Sequence, residues 1–269
     1  MNGVDAARLL NNGNVSAISR SRRLSGIESL SIDGVQAAVS GLLGSGGSKE
    51  VYDATVGGQH YALALPGTVD FPQIVIEKWN KVLREPVNTD RLRDLGLYVN
   101  DVCQVVSTIV NGHEFPALIM KKYSDHNFPV YDSKNLQGRG HELIKSDGRV
   151  DDEAALRLFV PIGIEVASLI RGGARLGRDC FNLCDISGVP HLYLNDLGAA
   201  TFRKISEGDL ERYADGYVSS ALGAFVNTIT EKVYRGNPYV NSMVDPECSL
   251  QPKLVESVMG ILKESTSSS

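Results

Sequence analysis

The 269-residue chain contains no apolar run approaching the roughly 18 to 20 residues that cross a bilayer. Its start lacks the basic, apolar and small-residue succession of a signal peptide, so neither a membrane span nor a Sec leader is expected. A basic excess is missing as well. The 27 Lys and Arg stand against 32 Asp and Glu, a formal net charge of -5, which argues against a nucleic-acid binder that relies on a broad basic surface. Cysteine is sparse: Cys103, Cys180, Cys184 and Cys248 form no Cys-x-x-Cys pair and have no histidine companions at zinc-finger spacing. Neither a structural metal nor a disulfide framework is indicated, and packed, reduced thiols are expected.

What the chain does have is apolar matter for a core, with 42% hydrophobic residues. Residues 1–31, with "NNGNVSAISRSRRLSG", and residues 263–269, ending in "ESTSSS", are expected to be disordered. Between them "VQAAVSGLLG", "KEVYDATVGG" and "QHYALAL" read as strands, with Gly57-Gly58 as a hairpin turn. "FPQIVIEKWNKVLREP" places Ile74, Trp79, Val82 and Leu83 at helical spacing, Pro86 breaks the pattern, and "TDRLRDLGL" continues or restarts the helix until Gly96. "YVNDVCQVVSTIVNGHEFPALIMKKY" gives a second hairpin around Asn111-Gly112. A polar linker over 124–150 follows, and helical patterns fill residues 151–262. Strands first and helices later predict an α+β protein of two lobes, 32–123 and 151–262, with the ligand site in the default position between them.

"LGSGGSKEVY" sets Gly44, Gly46 and Gly47 in a loop whose bare backbone suits a phosphate. A Walker loop fails, because Lys49 follows Ser48 and precedes a strand where a helix is required. A dinucleotide fingerprint fails too, because Lys49 stands where the third glycine belongs. Downstream, "LGRDCFNLCDISGVPHLYLNDLGAATF" carries Asp179, Asn182 and Asp196 in order. Phosphoryl transfer asks for a base to orient the attacking hydroxyl and oxygen ligands for Mg²⁺, and these are suitable residue types.

On "LGSGGSKEVY", "ALIMKKY", "GRDCFN" and "NDLG", residues 38 to 262 resemble the protein-kinase-like superfamily. The resemblance implies a two-lobed kinase-like fold, ATP and Mg²⁺ as cofactors, and a protein substrate. Gly44, Gly46 and Gly47 would cover the phosphates, Ser45 and Val51 would belong to the same nucleotide site, and Ala62 would roof the adenine. Met120, Lys121 and Tyr123 would form the hinge that binds it. Asp179 would be the catalytic base, and Asn182 and Asp196 the metal ligands.

Three departures stand out. Asp179 and Asn182 are three apart where the family has five, which leaves Asp185 as an alternative ligand. After Asp196-Leu197-Gly198 there is no Ala-Pro-Glu and no room for a long activation loop, so control by loop phosphorylation is not expected. The strand "YALAL" carries Ala64 where the phosphate-binding lysine normally sits. Gly44, Gly46, Lys49, Val51 and Tyr52 instead match the with-no-lysine kinases, whose lysine comes from the glycine loop's second strand. An ammonium on a four-carbon stem can reach the phosphates from there. Glu85 would orient it, with Glu77 as the alternative.

Asp132 and Lys134 in "YDSKN" are read as a turn, and His141 and His191 as structural or surface histidines. The small size, missing activation segment and Ser-rich start resemble minimal kinase effectors that bacteria inject by type III secretion. That analogy implies a monomer acting on a host protein in host cytoplasm. A pseudokinase that no longer transfers phosphate is the alternative.

Overall fold

A computed structural model describes residues 26–45, 49–67, 72–122, 151–186, 189–230 and 250–266. The chain divides into two compact units that interleave along the sequence. Unit 1 comprises Met1–Asp90, Asn100–Asn127 and Asp196–Ala199, and unit 2 comprises Arg91–Val99, Phe128–Asn195 and Ala200–Ser269.

Unit 1 is built on strands β1 (Leu30–Ile32), β2 (Val35–Ser45), β3 (Lys49–Val56), β4 (Gln59–Pro66), β6 (Cys103–Val110) and β7 (His113–Lys121). They close into a barrel in the order β1-β2-β3-β4-β7-β6, with every pair antiparallel. Three two-residue turns connect neighbouring strands: Asp33-Gly34, Gly57-Gly58 and Asn111-Gly112. Both residues of each have positive φ, between 48° and 81°, the twist that matches the strands on either side. Alternation along β4 sends Leu63 and Leu65 into an interior shared with Leu30, Ile32, Val106, Phe115 and Ile119. Ala64 faces the other way, into a cluster with Trp79, Val82 and Leu118.

Trp79 and Val82 belong to helix α1 (Pro72–Val82), where the buried Trp79 indole donates to the Pro116 carbonyl at 2.9 Å. Helix α2 (Glu85–Asp94) restarts at once. Pro86 sits in its first turn, where a missing N–H costs nothing, so the residue read as a breaker helps open the second helix. Gly96, at φ +77°, ends it.

Unit 2 holds β5 (Tyr98–Val99), helix α3 (Asp152–Arg171), β8 (Ala174–Arg175), β9 (Phe181–Ile186), β10 (Val189–Leu194), β11 (Thr201–Phe202), α4 (Leu210–Thr230) and α5 (Leu250–Thr266). The Asp151 carboxylate caps α3 by accepting from the Glu153 and Ala154 N–H groups, both at 3.1 Å. The β9–β10 hairpin takes β5 as a parallel third strand. The Tyr217 hydroxyl donates to Ala174 O at 2.6 Å and accepts from Leu176 N at 3.2 Å, fixing the chain just before residues 177–180.

Two expectations are corrected. The two-lobed protein-kinase-like fold, with a small antiparallel β lobe and a helical lobe, is overturned by a mixed α/β architecture around a closed six-stranded barrel. The closing strand is β1, whose Leu30 and Ile32 are each 3% exposed. Residues 30 and 31 therefore belong to the barrel and not to a disordered start. At the other end, α5 runs through residues 263–266, which the sequence assigns to a mobile tail. The linker 124–150 lies outside the described residues. Among the described residues no helix is long and apolar enough to cross a membrane.

Candidate functional site

Lys49 and Val51 lie two apart on β3, so their side chains leave the same face of the sheet. That face also carries Ala64, directly opposite Val51. A lysine at 49 therefore emerges on the side where a lysine at 64 would, while Ala64 itself fills the space against Trp79 and Val82. The Lys49 ammonium lies 2.7 Å from Asp196 Oδ1 and 3.0 Å from Glu85 Oε2. Its side chain is 14% exposed, that of Glu85 5% and that of Asp196 45%.

Burial alone would lower the Lys49 pKa. The charges of Glu85 and then Asp196, with their hydrogen bonds, outweigh it and hold the pKa above its ordinary value. Lys49 is a fixed cation. Burial raises the Glu85 carboxyl, and the Lys49 charge opposes that rise. Glu85 belongs to the first turn of α2, where a carboxylate also suits the helix dipole. The other candidate, Glu77, is largely exposed and pairs with Lys81 one turn on.

The turn carrying Asp196 is tightly specified. Asp196 has φ +51°, a conformation that disfavours most residues with a Cβ. Leu197 is buried, its N–H donates to the Glu85 carboxylate, and its carbonyl accepts from Asn88 Nδ2 at 2.7 Å. A Cβ on Gly198 would meet Lys81 O at 2.7 Å and Val82 Cα at 2.9 Å, so only glycine lets this turn lie against α1. Nearby Cys103 is pushed up to about 12, by burial first and by the Glu85 charge second, so it is an inert thiol rather than a nucleophile.

Other predicted residues are placed as follows. Gly44 pairs with Val51 beside an irregularity in β2, and Ser45 pairs with Glu50. Gly46, Gly47 and Tyr123 lie outside the described residues, as do His141, Asp132, Lys134 and Cys248. Ala62 is buried opposite Met120, which packs partly buried against the Trp79 cluster. Lys121, the next residue of the expected hinge, ends β7. Its N–H already donates to Val102 O at 3.0 Å and Asn100 Oδ1 at 3.2 Å, and its carbonyl accepts from Asn100 Nδ2 at 3.2 Å.

Asp179 and Asn182 lie in unit 2, whereas Lys49, Glu85 and Asp196 lie in unit 1. Asp179 is exposed in a 3₁₀ turn, Arg178–Cys180, and its carboxylate folds back over Gly177, where a Cβ would collide with it. Asn182 donates to Asn195 Oδ1 at 2.6 Å. The backbone of Asp185 runs in β9. His191, read as a structural or surface histidine, pairs with a carboxylate distant in sequence: Glu165, from α3, lies 2.6 Å from its Nδ1 and also accepts from Leu192 N–H at 2.7 Å.

For Mg²⁺, Asp196 offers an accessible carboxylate, a hard oxygen donor of the kind that ion prefers. Among the described residues no group of three His, Cys, Asp or Glu side chains is placed to hold a metal ion. Compared with protein-family models and with curated proteins, the chain matches none.

Proposed function

We propose that this chain is an ATP- and Mg²⁺-dependent phosphotransferase acting on protein hydroxyls, of the Ser/Thr type. The observation that carries the reading is the Lys49 ammonium held between Glu85 and Asp196 at 3.0 and 2.7 Å. A buried, permanently charged lysine beside an accessible carboxylate is equipped for both halves of a nucleotide's phosphate chemistry. The cation would neutralise non-bridging phosphate oxygens and the carboxylate would hold the metal. The metal, when bound, supplies charge neutralisation on the phosphates. The reading rests on this arrangement and on residue order, not on fold. Asp179 would act as base and Asn182 as a further oxygen ligand, both assigned from sequence. The wider expectation of a type III effector acting on a host protein in host cytoplasm rests on composition and resemblance.

A second reading, nucleotide binding without transfer, draws on the short Asp179 to Asn182 spacing and on the engaged backbone of Lys121. Transfer of γ-labelled phosphate from ATP to a degenerate Ser/Thr peptide library decides between them. Wild type transfers, and Lys49→Ala, Asp179→Ala and Asp196→Ala each lose about 10²- to 10³-fold. Full activity in Lys49→Ala overturns the lysine's role. No transfer by wild type, with nucleotide binding retained, moves the chain to the second reading.

A further inference from the structure

The sequence draws attention to Glu85 and passes over its neighbour one turn on. We propose that Asn88 is a positioning residue that sets Asp196 through the peptides on either side of Leu197, an inference that rests on the phosphotransfer reading. Asn88 is 7% exposed and lies three residues after Glu85 in α2, on the same helix face. Glu85 accepts the Leu197 N–H, and Asn88 Nδ2 donates to the Leu197 carbonyl at 2.7 Å. One helical turn thus grips the backbone on both sides of residue 197 and fixes the rotation of the chain leaving Asp196.

That grip has something to resist. Asp196 sits at φ +51°, in the left-handed region that L residues other than Asn and Asp rarely adopt. Released, the chain relaxes toward negative φ and turns the carboxylate away from Lys49. Glu85 serves both the Lys49 ammonium and the Leu197 N–H. The Asn88 amide bond to Leu197 is independent of the lysine. Without Asn88, the carbonyl of a residue only 1% exposed loses its donor.

The test uses the full chain with Asn88→Ala, the isosteric Asn88→Asp, which keeps the shape and loses the donor, and the donor-retaining Asn88→Gln. Peptide phosphorylation gives kcat and KM, and acetic anhydride labelling with mass spectrometry gives the accessibility of Lys49. In the Ala and Asp variants kcat falls about tenfold, the loss of one buried hydrogen bond. The peptide KM stays within about threefold, and Lys49 labels faster. The Gln variant regains part of the rate. Wild-type kcat and wild-type Lys49 labelling in a folded Asn88→Asp overturn the proposal, whatever happens to the fold of Asn88→Ala. If wild type transfers no phosphate, the phosphotransfer reading fails by itself and labelling still decides the positioning role: unchanged labelling overturns it, faster labelling supports it.

Discussion

Lys49 stabilises two carboxylates of unlike exposure, and removing it exposes their difference. In Lys49→Met, the buried Glu85 loses the cation that opposes the effect of its burial, so its proton affinity rises further. A carboxyl whose folded pKa lies above its unfolded value binds its proton more tightly in the fold. The stability this contributes is fully present below the unfolded pKa and is lost as pH rises from there through the folded pKa, with no further change above it. The variant is therefore expected to lose about 3–5 kcal/mol near neutrality, the usual cost of orphaning a buried charge. That deficit narrows as pH is lowered from neutrality into the ordinary carboxyl range. Urea unfolding of both proteins across this range measures it, and a deficit independent of pH refutes the account.

At this scale much was legible. Lys49, Glu85 and Asp196 stand out by residue type and order, and the structure brings all three together. Asn88 has no signature beyond its spacing from Glu85. The partner of His191 is 26 residues away in sequence, where no local pattern points.

Turns show how an element's meaning depends on what surrounds it. Gly57-Gly58 and Asn111-Gly112 announce hairpins because two adjacent residues must adopt positive φ, a demand written in the residues themselves. Asp33-Gly34 carries the same signal and went unread because the strand before it has only three residues. Gly198 is different, since its requirement comes from α1, more than a hundred residues away in sequence.

Two alanine substitutions separate these causes. A Cβ on Gly58 meets nothing within 4 Å, but its φ of +80° strains any side chain. Gly58→Ala should thus cost about 1–2 kcal/mol of stability and leave the proposed phosphotransfer unchanged. Gly198→Ala must push the Leu197 turn off the Lys81 carbonyl and the Val82 backbone, displacing Asp196 from Lys49. Its activity should fall by about tenfold or more, even at temperatures where thermal melting shows it folded. Equal effects of the two substitutions on activity would show that the close approach to α1 does not position Asp196.

The architecture of the whole molecule was least legible at its closure. Strands β2, β3, β4, β6 and β7 are long enough, and their hairpins local enough, to be read from alternation and turn residues. Closure depends on Ser31 and Ile32 pairing with Gln36 and Val35, and on Leu30, Ser31 and Ile32 pairing with Val110, Ile109 and Thr108, and the second of these contacts spans some eighty positions. Three residues carry no usable periodicity, and they adjoin a polar stretch whose composition suggests disorder.

The consequence can be measured by truncation. A chain beginning at residue 33 keeps every strand that the sequence predicted and loses β1, together with Ile27, which packs against the barrel core, and the bonds of Gly26, Glu28 and Ser29 to Asn111. Were the sheet open at that edge, the cut would be nearly silent. In a closed barrel it strips two side chains that are each 3% exposed, worth about 1.5–3 kcal/mol apiece. It also leaves β2 and β6 with unpaired edges. The sum of roughly 3–6 kcal/mol is comparable with the whole stability of a typical domain, about 5–15 kcal/mol. The 33–269 chain is expected to melt far below the full chain, or to aggregate through its two new edges, in differential scanning calorimetry and light scattering. Leu30→Ala with Ile32→Ala in the full chain removes most of the buried side-chain surface but keeps the strand's hydrogen bonds. It should fall between the two, and a truncated chain as stable as that double variant would mean that edge pairing contributes little to closure.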